Sequence, residues 1–313
     1  MRSRALWMTM SIQLAYAASL CAQPWVPPKG EGSVSIVYQN YYVIGHFDAK
    51  GHENFNGATH AKAIVADVDV GLTDTLALTL SLPFIAAKYT GPSAYVVGGI
   101  LTRPGPLDDR TYHGALQDLH AELRRECRVG PVAIAPLIGV TLPSHDYETH
   151  GEAVVGRHRR ELQAGASAGT DLNRILPHTY VHGRYGLAAA ERLHGFPSVR
   201  SNIDLEAGVD AAERLTLRGV AAWQIRHKGP TIPSLNAFDW LAHDRFIVSS
   251  YFNVGGGLTI SMTENTELHA LWISTVSGNN GAHRARMLAI GTSWSFGSGW
   301  GGFGGEVKSS RSR

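Results

Sequence analysis

Between Thr75 and Phe84 the chain changes character at every step: Leu76, Leu78, Leu80, Leu82 and Phe84 share one side, and Thr75, Ala77, Thr79 and Ser81 the other. Val199 to Asp210 repeats the pattern, with Val199, Ile203, Leu205, Ala207 and Val209 opposed to Arg200, Asn202, Asp204, Glu206 and Asp210. Successive side chains of a strand point to opposite faces, so a period of two with one apolar and one polar side specifies a half-buried strand. The same test gives twelve strands: Ser33–His46, His60–Leu72, Thr75–Lys88, Tyr112–Cys127, Val129–Leu142, Arg160–Leu172, His178–Glu191, Val199–Ala211, Arg214–His227, Arg245–Ile260, Thr266–Ser277 and Arg284–Phe296. All are far longer than the five or six residues typical of globular sheets. A tilted strand needs about 9 to 11 residues to cross the hydrocarbon of a bilayer. The expected fold is therefore all-β, a transmembrane antiparallel up-and-down β-barrel of about 12 strands.

The links alternate in length. Thr73-Asp74, Arg128, Asn173 to Pro177, Ala212-Glu213 and Ser261 to Asn265 read as tight turns. Between them fall Phe47–Thr59, Tyr89–Thr111, Pro143–Arg159, Arg192–Ser198, Lys228–Asp244 and Gly278–His283. Short turns at one end and longer loops at the other are the pattern of bacterial outer-membrane barrels, and an even strand count puts both termini in the periplasm. Pro83 and Pro136 fall inside strands, where each removes a ladder donor, so bulges are expected at both. Strand one has no clean parity, because Asn40 shares a face with Ile36 and Ile44.

Composition is consistent with this reading. At 44% hydrophobic and 17% charged residues, the 313-residue chain is too polar for a helical membrane protein and too apolar for disorder. That average hides two faces that cancel. A net charge of +2 gives no field for nucleic acid. Arg2 and Arg4, the apolar run Ala5 to Leu14 and the small residues up to Ala22 read as a signal peptide over residues 1–22. Cleavage there leaves Cys127 as a lone thiol, which closes no internal disulfide. Residues 23–32 are expected as a periplasmic segment able to plug the barrel, residues 33–296 as the barrel, and residues 297–313 as a flexible periplasmic tail.

The last strand carries Gly291, Trp294 and Phe296, which resemble the glycine-plus-aromatics signal read by the barrel-assembly machinery. The stretch from Asp67 to Phe84, with Gly71-Leu-Thr-Asp74 and Leu82-Pro-Phe84, resembles the outer-membrane proteins named for a putative meta-cleavage pathway of phenol degradation. Gly139 to Tyr147 is similar to that family's Leu-Pro-Thr-Gly-Asp element, with Ser144-His145 where Thr-Gly would stand. The resemblance implies an integral outer-membrane channel for uptake of small apolar or aromatic solutes, in contact with outer-membrane lipid and using no cofactor. It does not name the solute or the oligomeric state.

With the apolar parity facing lipid, the interior is expected to hold Asp67, Asp69, Asp118, His120, Glu122, Arg124, Glu161, Gln163, His182, Arg184, Asp204, Glu206, Arg218, Gln224, Arg226, Glu267 and His269. Mixed signs of similar number suggest cross-strand pairs bracing the wall. Thr79, Ser81, Ala133, Ala135, Leu137, Gly139, Thr141, Gly165 and Ser167 are expected to form a neutral facet where an apolar solute loses little hydration. Of the 15 histidines, His46, His52, His60, His113, His145, His150, His158, His194, His227, His243 and His283 fall in outer loops or at outer strand ends. Among them His145, His150 and His158 are weak candidates for metal capture or acid sensing, since imidazole suits transition metals and titrates near neutrality. Two other function classes compete with a channel. One is a structural or adhesive barrel without conductance, and the other is a membrane-embedded lipid hydrolase. Against the latter, the mid-strand His120, His182 and His269 share parity with the lumen, and no nucleophile elbow or phosphate loop occurs, so no enzyme is expected.

Overall fold

The computed structural model describes residues 23–55, 57–91, 96–97, 100–101, 105–231 and 243–297. The expected leader and all of the expected tail beyond Gly297 lie outside them. Twelve strands form the wall: β1 (Gly32–Phe47), β2 (Ala58–Thr73), β3 (Leu76–Thr90), β4 (His113–Leu116 and Leu119–Arg125), β5 (Val132–Leu142) and β6 (Glu161–Asp171). They continue with β7 (Thr179–Leu193), β8 (Phe196–Ala212), β9 (Leu215–Lys228), β10 (Ser250–Ser261), β11 (Thr266–Asn279) and β12 (His283–Phe296). Each pairs antiparallel with the next, and β12 pairs with β1 from Gly32 opposite Phe296 to His46 opposite His283. Closure leaves the wall without a free edge, the condition for strands to stand in lipid. No helix among the described residues is long and apolar enough to cross a membrane.

Four local expectations need correction. The tenth strand begins at Ser250, and His243–Phe246 form a helical turn, α1, instead of its start. Phe246, Ile247 and Val248 are apolar at consecutive positions and all three are buried, so this stretch does not divide between two faces as a wall strand does. Arg128 is not a turn residue but pairs with Ala133, and the chain reverses at Gly130-Pro131 with Gly130 at φ 60°. The link between β7 and β8 is a two-residue hairpin, not a long loop. Leu193 pairs with Phe196, and both His194 and Gly195 take positive φ, as a type I′ turn requires. Finally, only one of the two prolines makes a bulge. Ser81 pairs with His120 and Phe84 with Leu116, which leaves one extra residue on β4 beside Pro83. Opposite Pro136 the register is the same on both sides, and the missing donor only nicks the ladder between Arg125 and Cys127.

The structure gives β1 the parity its sequence lacked: Ile36, Tyr38, Asn40 and Tyr42 are exposed on the outside, while Val37, Gln39, Tyr41 and Val43 are buried inside. Around the barrel the outer face exposes a belt that includes Ile64, Leu80, Leu123, Ile138, Leu162, Leu205, Leu217, Trp272 and Ile290. A closed barrel with an apolar exterior is stable only where lipid covers that exterior.

Candidate functional site

The barrel axis holds a cavity of about 190 Å³. Its two sides differ in chemistry. β1, β2, β3, β11 and β12 supply Val37, Ala63, Val65, Ile85, Leu271 and Ala289, and the facing strands supply Asp118, His120, Glu122, Glu161, Arg184, Arg200, Asp204 and Arg218. Asp67, Gln163, Gln224 and His269 complete the polar lining. The apolar wall is thus not the facet expected from sequence. Of that facet Thr79, Ser81 and Thr141 reach the cavity, whereas Ala133, Ala135, Leu137 and Ser167 are buried in the wall away from it.

The charged side is braced by pairs between strands. Arg184 holds both oxygens of Glu122, and Arg200 holds both of Glu161 at 2.5 and 2.8 Å. His120 approaches from the other direction, its Nε2 3.8 Å from Glu122 and its Nδ1 in contact with the Thr141 hydroxyl at 3.0 Å. Closer to the tight turns, Arg124 binds Asp69 and the Thr79 hydroxyl, each at 2.5 Å. Glu206 accepts from the Tyr180 hydroxyl at 2.7 Å and lies 3.5 Å from His182 and 3.6 Å from Arg218. His269 stands between the Thr259 and Ser293 hydroxyls, 3.9 Å from Glu267. Arg226 reaches the loop rim, where it donates to the Gly229 carbonyl. Arg200 was legible as an inward side chain by its parity with Asp204 and Glu206. Its partner Glu161 lies two strands away, which parity does not reveal.

A floor crosses the turn end. Residues 23–29 run from the β2–β3 turn, where the Lys29 N–H donates to Asp74, past β4, where the Val26 N–H donates to Glu126 at 2.9 Å. They reach β6, where Pro24 occupies the space that a side chain on Gly169 would fill, and β7, where Trp25 meets His182 edge-on at 6.1 Å. Contacts on strands so far apart around the wall require the segment to span the bore. The missing side chain of Gly169 in β6 is what makes room for Pro24.

Two inward-folded loops form a roof at the other end. In the link between β5 and β6, Glu152, Ala153, Val154 and Val155 are buried, the three apolar ones against Tyr41, Ile85, Ile273 and Met287. The Tyr147 hydroxyl fastens this loop by donating to Asp118 at 2.7 Å. The segment from α1 to Ser249 is the second loop, and the two hold each other. Arg157 and Arg159 donate to the carbonyls of Ile247 and Arg245, and Arg245 donates back to those of Arg157 and His158. Burial pushes the Arg157 guanidinium down to about 9 and Arg159 to about 10, which leaves both protonated at neutral pH. These two arginines line the cavity from above, in a loop where sequence reading saw only connection.

Of the candidate metal ligands, His145 and His158 flank the Tyr147 ring, with ring centroids 5.6 and 5.0 Å away. His145 contacts the Ser144 hydroxyl, His150 contacts Glu148 at 2.6 Å, and His158 lies 3.6 Å from Asp146. Among the described residues no three metal-ligating side chains stand together. His227, at a strand end as expected, contacts the Ser201 hydroxyl at 2.6 Å on the outer wall, and the Tyr185 hydroxyl contacts the same oxygen at 2.9 Å. Ser201 is only 2% exposed, and its oxygen is held by these two neighbours. In the last strand Trp294 is exposed to the outside and packs its ring 5.9 Å from Phe296, and a side chain at Gly291 would strike Val37.

No protein-family model matches the sequence, and no curated protein does. Solved structures do resemble the fold. An outer-membrane channel from Pseudomonas putida F1 superimposes with a TM-score of 0.63 over 88% of this chain and 98% of that one, at 13% identity. The translocator domain of the autotransporter NalP from Neisseria meningitidis gives 0.48 over 86% and 90%, at 11% identity. The P. putida toluene transporter TodX gives 0.43 over 87% and 91%, at 8% identity. The first likeness, with the closed wall and apolar belt, identifies an integral outer-membrane β-barrel.

Proposed function

We propose that this barrel is a channel for passive passage of small apolar or aromatic solutes across the outer membrane. The observation that carries the reading is the two-faced cavity on the barrel axis. Its apolar side lowers the cost of dehydrating an apolar solute, and its charged side keeps the space wetted and the wall braced. A solute enters as the roof loops lift, passes along Val37, Val65, Ile85 and Leu271, and leaves when residues 23–29 withdraw. The resemblance to the family named for phenol degradation supports an aromatic solute, and the likeness in fold to an outer-membrane channel supports passage. Gly291, Trp294 and Phe296 serve assembly of the wall rather than transport. The test is swelling of liposomes containing the purified barrel in phenolic and in sugar solutes of equal size. Faster swelling in the phenolic is expected. Liposomes impermeable to both leave a structural or adhesive barrel, and equal rates for both remove the preference for apolar solutes.

A further inference from the structure

The outer wall near the loop end interrupts its apolar belt with a cluster of cations. The rows can be read from the register. Ile290, Tyr38, Ile64 and Phe84 are cross-strand partners in succession across β12, β1, β2 and β3, and form the last fully apolar row. Two residues further toward the loops the row is Leu288, Asn40, Lys62 and Ala86, and two further again it is Arg286, Tyr42, His60 and Lys88. All belong to the outward parity, with Lys62 and Arg286 exposed and His60 and Lys88 half-buried. At about 3.3 Å per residue and a tilt of about 40°, Lys88 stands roughly 10 Å above Phe84, at the level of lipid headgroups.

Lys62 and Lys88 stand diagonally on neighbouring strands, with Arg286 two strands beyond Lys62. Among the described residues no carboxylate is paired with Lys62, Lys88 or Arg286, and two acids of the adjoining loops are engaged elsewhere: Glu53 with Arg284 at 3.3 Å, and Asp109 with Thr111 and His113. Aromatic rings hold the group in place. The Tyr112 ring lies 5.0 Å from Lys62 Nζ and 4.9 Å from Lys88 Nζ, and Tyr42 meets His60 edge-on at 4.1 Å. Like charges side by side on a sheet destabilise it unless a counter-charge sits over them. Here the face is turned to the membrane, so the counter-charge must come from lipid.

We infer that Lys62, Lys88 and Arg286, with His60, form a binding site for the phosphorylated headgroup of an outer-leaflet glycolipid. The acyl chains would lie down the belt over Tyr38, Ile64 and Phe84 while phosphate oxygens meet the ammonium and guanidinium groups. The site is independent of whether the lumen conducts, because it stands on the opposite face of the same strands. The experiment is native mass spectrometry of the full chain in detergent with diphosphoryl lipid A, with phosphatidylcholine, and with inorganic phosphate. The expected result is binding of lipid A at least tenfold tighter than phosphatidylcholine, a preference lost in the triple variant Lys62→Ala, Lys88→Ala, Arg286→Ala. A control variant, Arg160→Ala with Arg192→Ala, removes exposed charge at the loop end and should keep the preference. All variants are first checked for heat-modifiable gel mobility; should the triple variant fail it, Lys62→Gln with Arg286→Gln replaces it. The inference is overturned if lipid A is not preferred, if charge removal leaves the preference intact, if the control loses it equally, or if inorganic phosphate competes at the same concentration as lipid A.

Discussion

Replacing Glu126 by Ala should open the floor, and the size of the effect follows from one hydrogen bond. The Glu126 carboxylate accepts the backbone N–H of Val26 at 2.9 Å, and Val26 is only 6% exposed. A hydrogen bond to a charged acceptor contributes about 1.5 to 3 kcal/mol. Glu126 also binds Arg128 at a largely exposed position, which screens its charge, so about 1.5 to 2 kcal/mol is the appropriate part of that range. At about 1.4 kcal/mol per factor of ten, the population with residues 23–29 withdrawn should rise about 10- to 30-fold. If withdrawal limits exit, the liposome swelling rate rises by the same factor. Glu126→Gln keeps a neutral acceptor and about half the energy, so about a three- to fivefold rise is expected. The graded order, Ala above Gln above parent, is what separates a lost hydrogen bond from a damaged wall. A rate for Glu126→Ala within about twofold of the parent, in a barrel that still shifts on heating, would refute the argument that this segment limits passage.

Three further outcomes are expected. Arg184→Met should cost about 2 to 3 kcal/mol in urea unfolding from detergent, below the usual cost of a broken buried pair because the cavity admits water, and the double change with Glu122→Gln should recover more than half of it. Asp108 accepts the Glu152 N–H at 2.7 Å and burial raises its carboxyl above the usual 3.8. The folded chain then binds that proton more tightly than the unfolded one, so loop docking is strongest in acid and weakens as pH rises through the raised value; corrected amide exchange at Glu152 should show this in the parent and lose it in Asp108→Asn. Phe246, 1% exposed and packed 5.1 Å from His194 and 5.7 Å from Phe196, anchors the second roof loop, so Phe246→Ala should cost about 3 to 5 kcal/mol of docking and admit protease between residues 243 and 249, while Phe246→Leu should do neither.

The wall was legible because its cause is local. Period-two alternation fixes both the strand and the side each residue faces, and every expected strand lies close to an observed one except the start of β10. The interior was harder to read. Which inward residues meet depends on stagger between strands, so Glu161 and Arg200 could be placed inside from sequence, but their bidentate pairing over the intervening strand could not. The floor was half legible: three prolines and a Trp before the first strand suggested a plug, but its path depends on Gly169 and Glu126, far along the chain. The roof was invisible. A loop that folds inward has neither period, and Ala153-Val-Val155 looks like any short apolar run.

The strand that resisted parity assignment was nevertheless informative. β1 carries Ile36 and Tyr38 outside and Val37 and Val43 inside, and β11 and β12 repeat this with Trp272 and Leu288 outside and Ile273 and Met287 inside. A strand apolar on both faces needs an apolar partner on each, and lipid supplies only one. Water against the inner face would forgo about 25 cal/mol for each Å² of apolar surface it wets. The chain meets this with Ala153, Val154 and Val155, which pack against those inward side chains. Lifting the roof would therefore expose an apolar surface that an apolar solute can cover and a sugar cannot. Val154→Asp tests this step. A charge placed among Tyr41, Ile273 and Met287 should drive the loop out, and phenolic solutes should then gain more in swelling rate than sugars do. An equal gain for both would mean that the inner apolar face serves only to hold the roof.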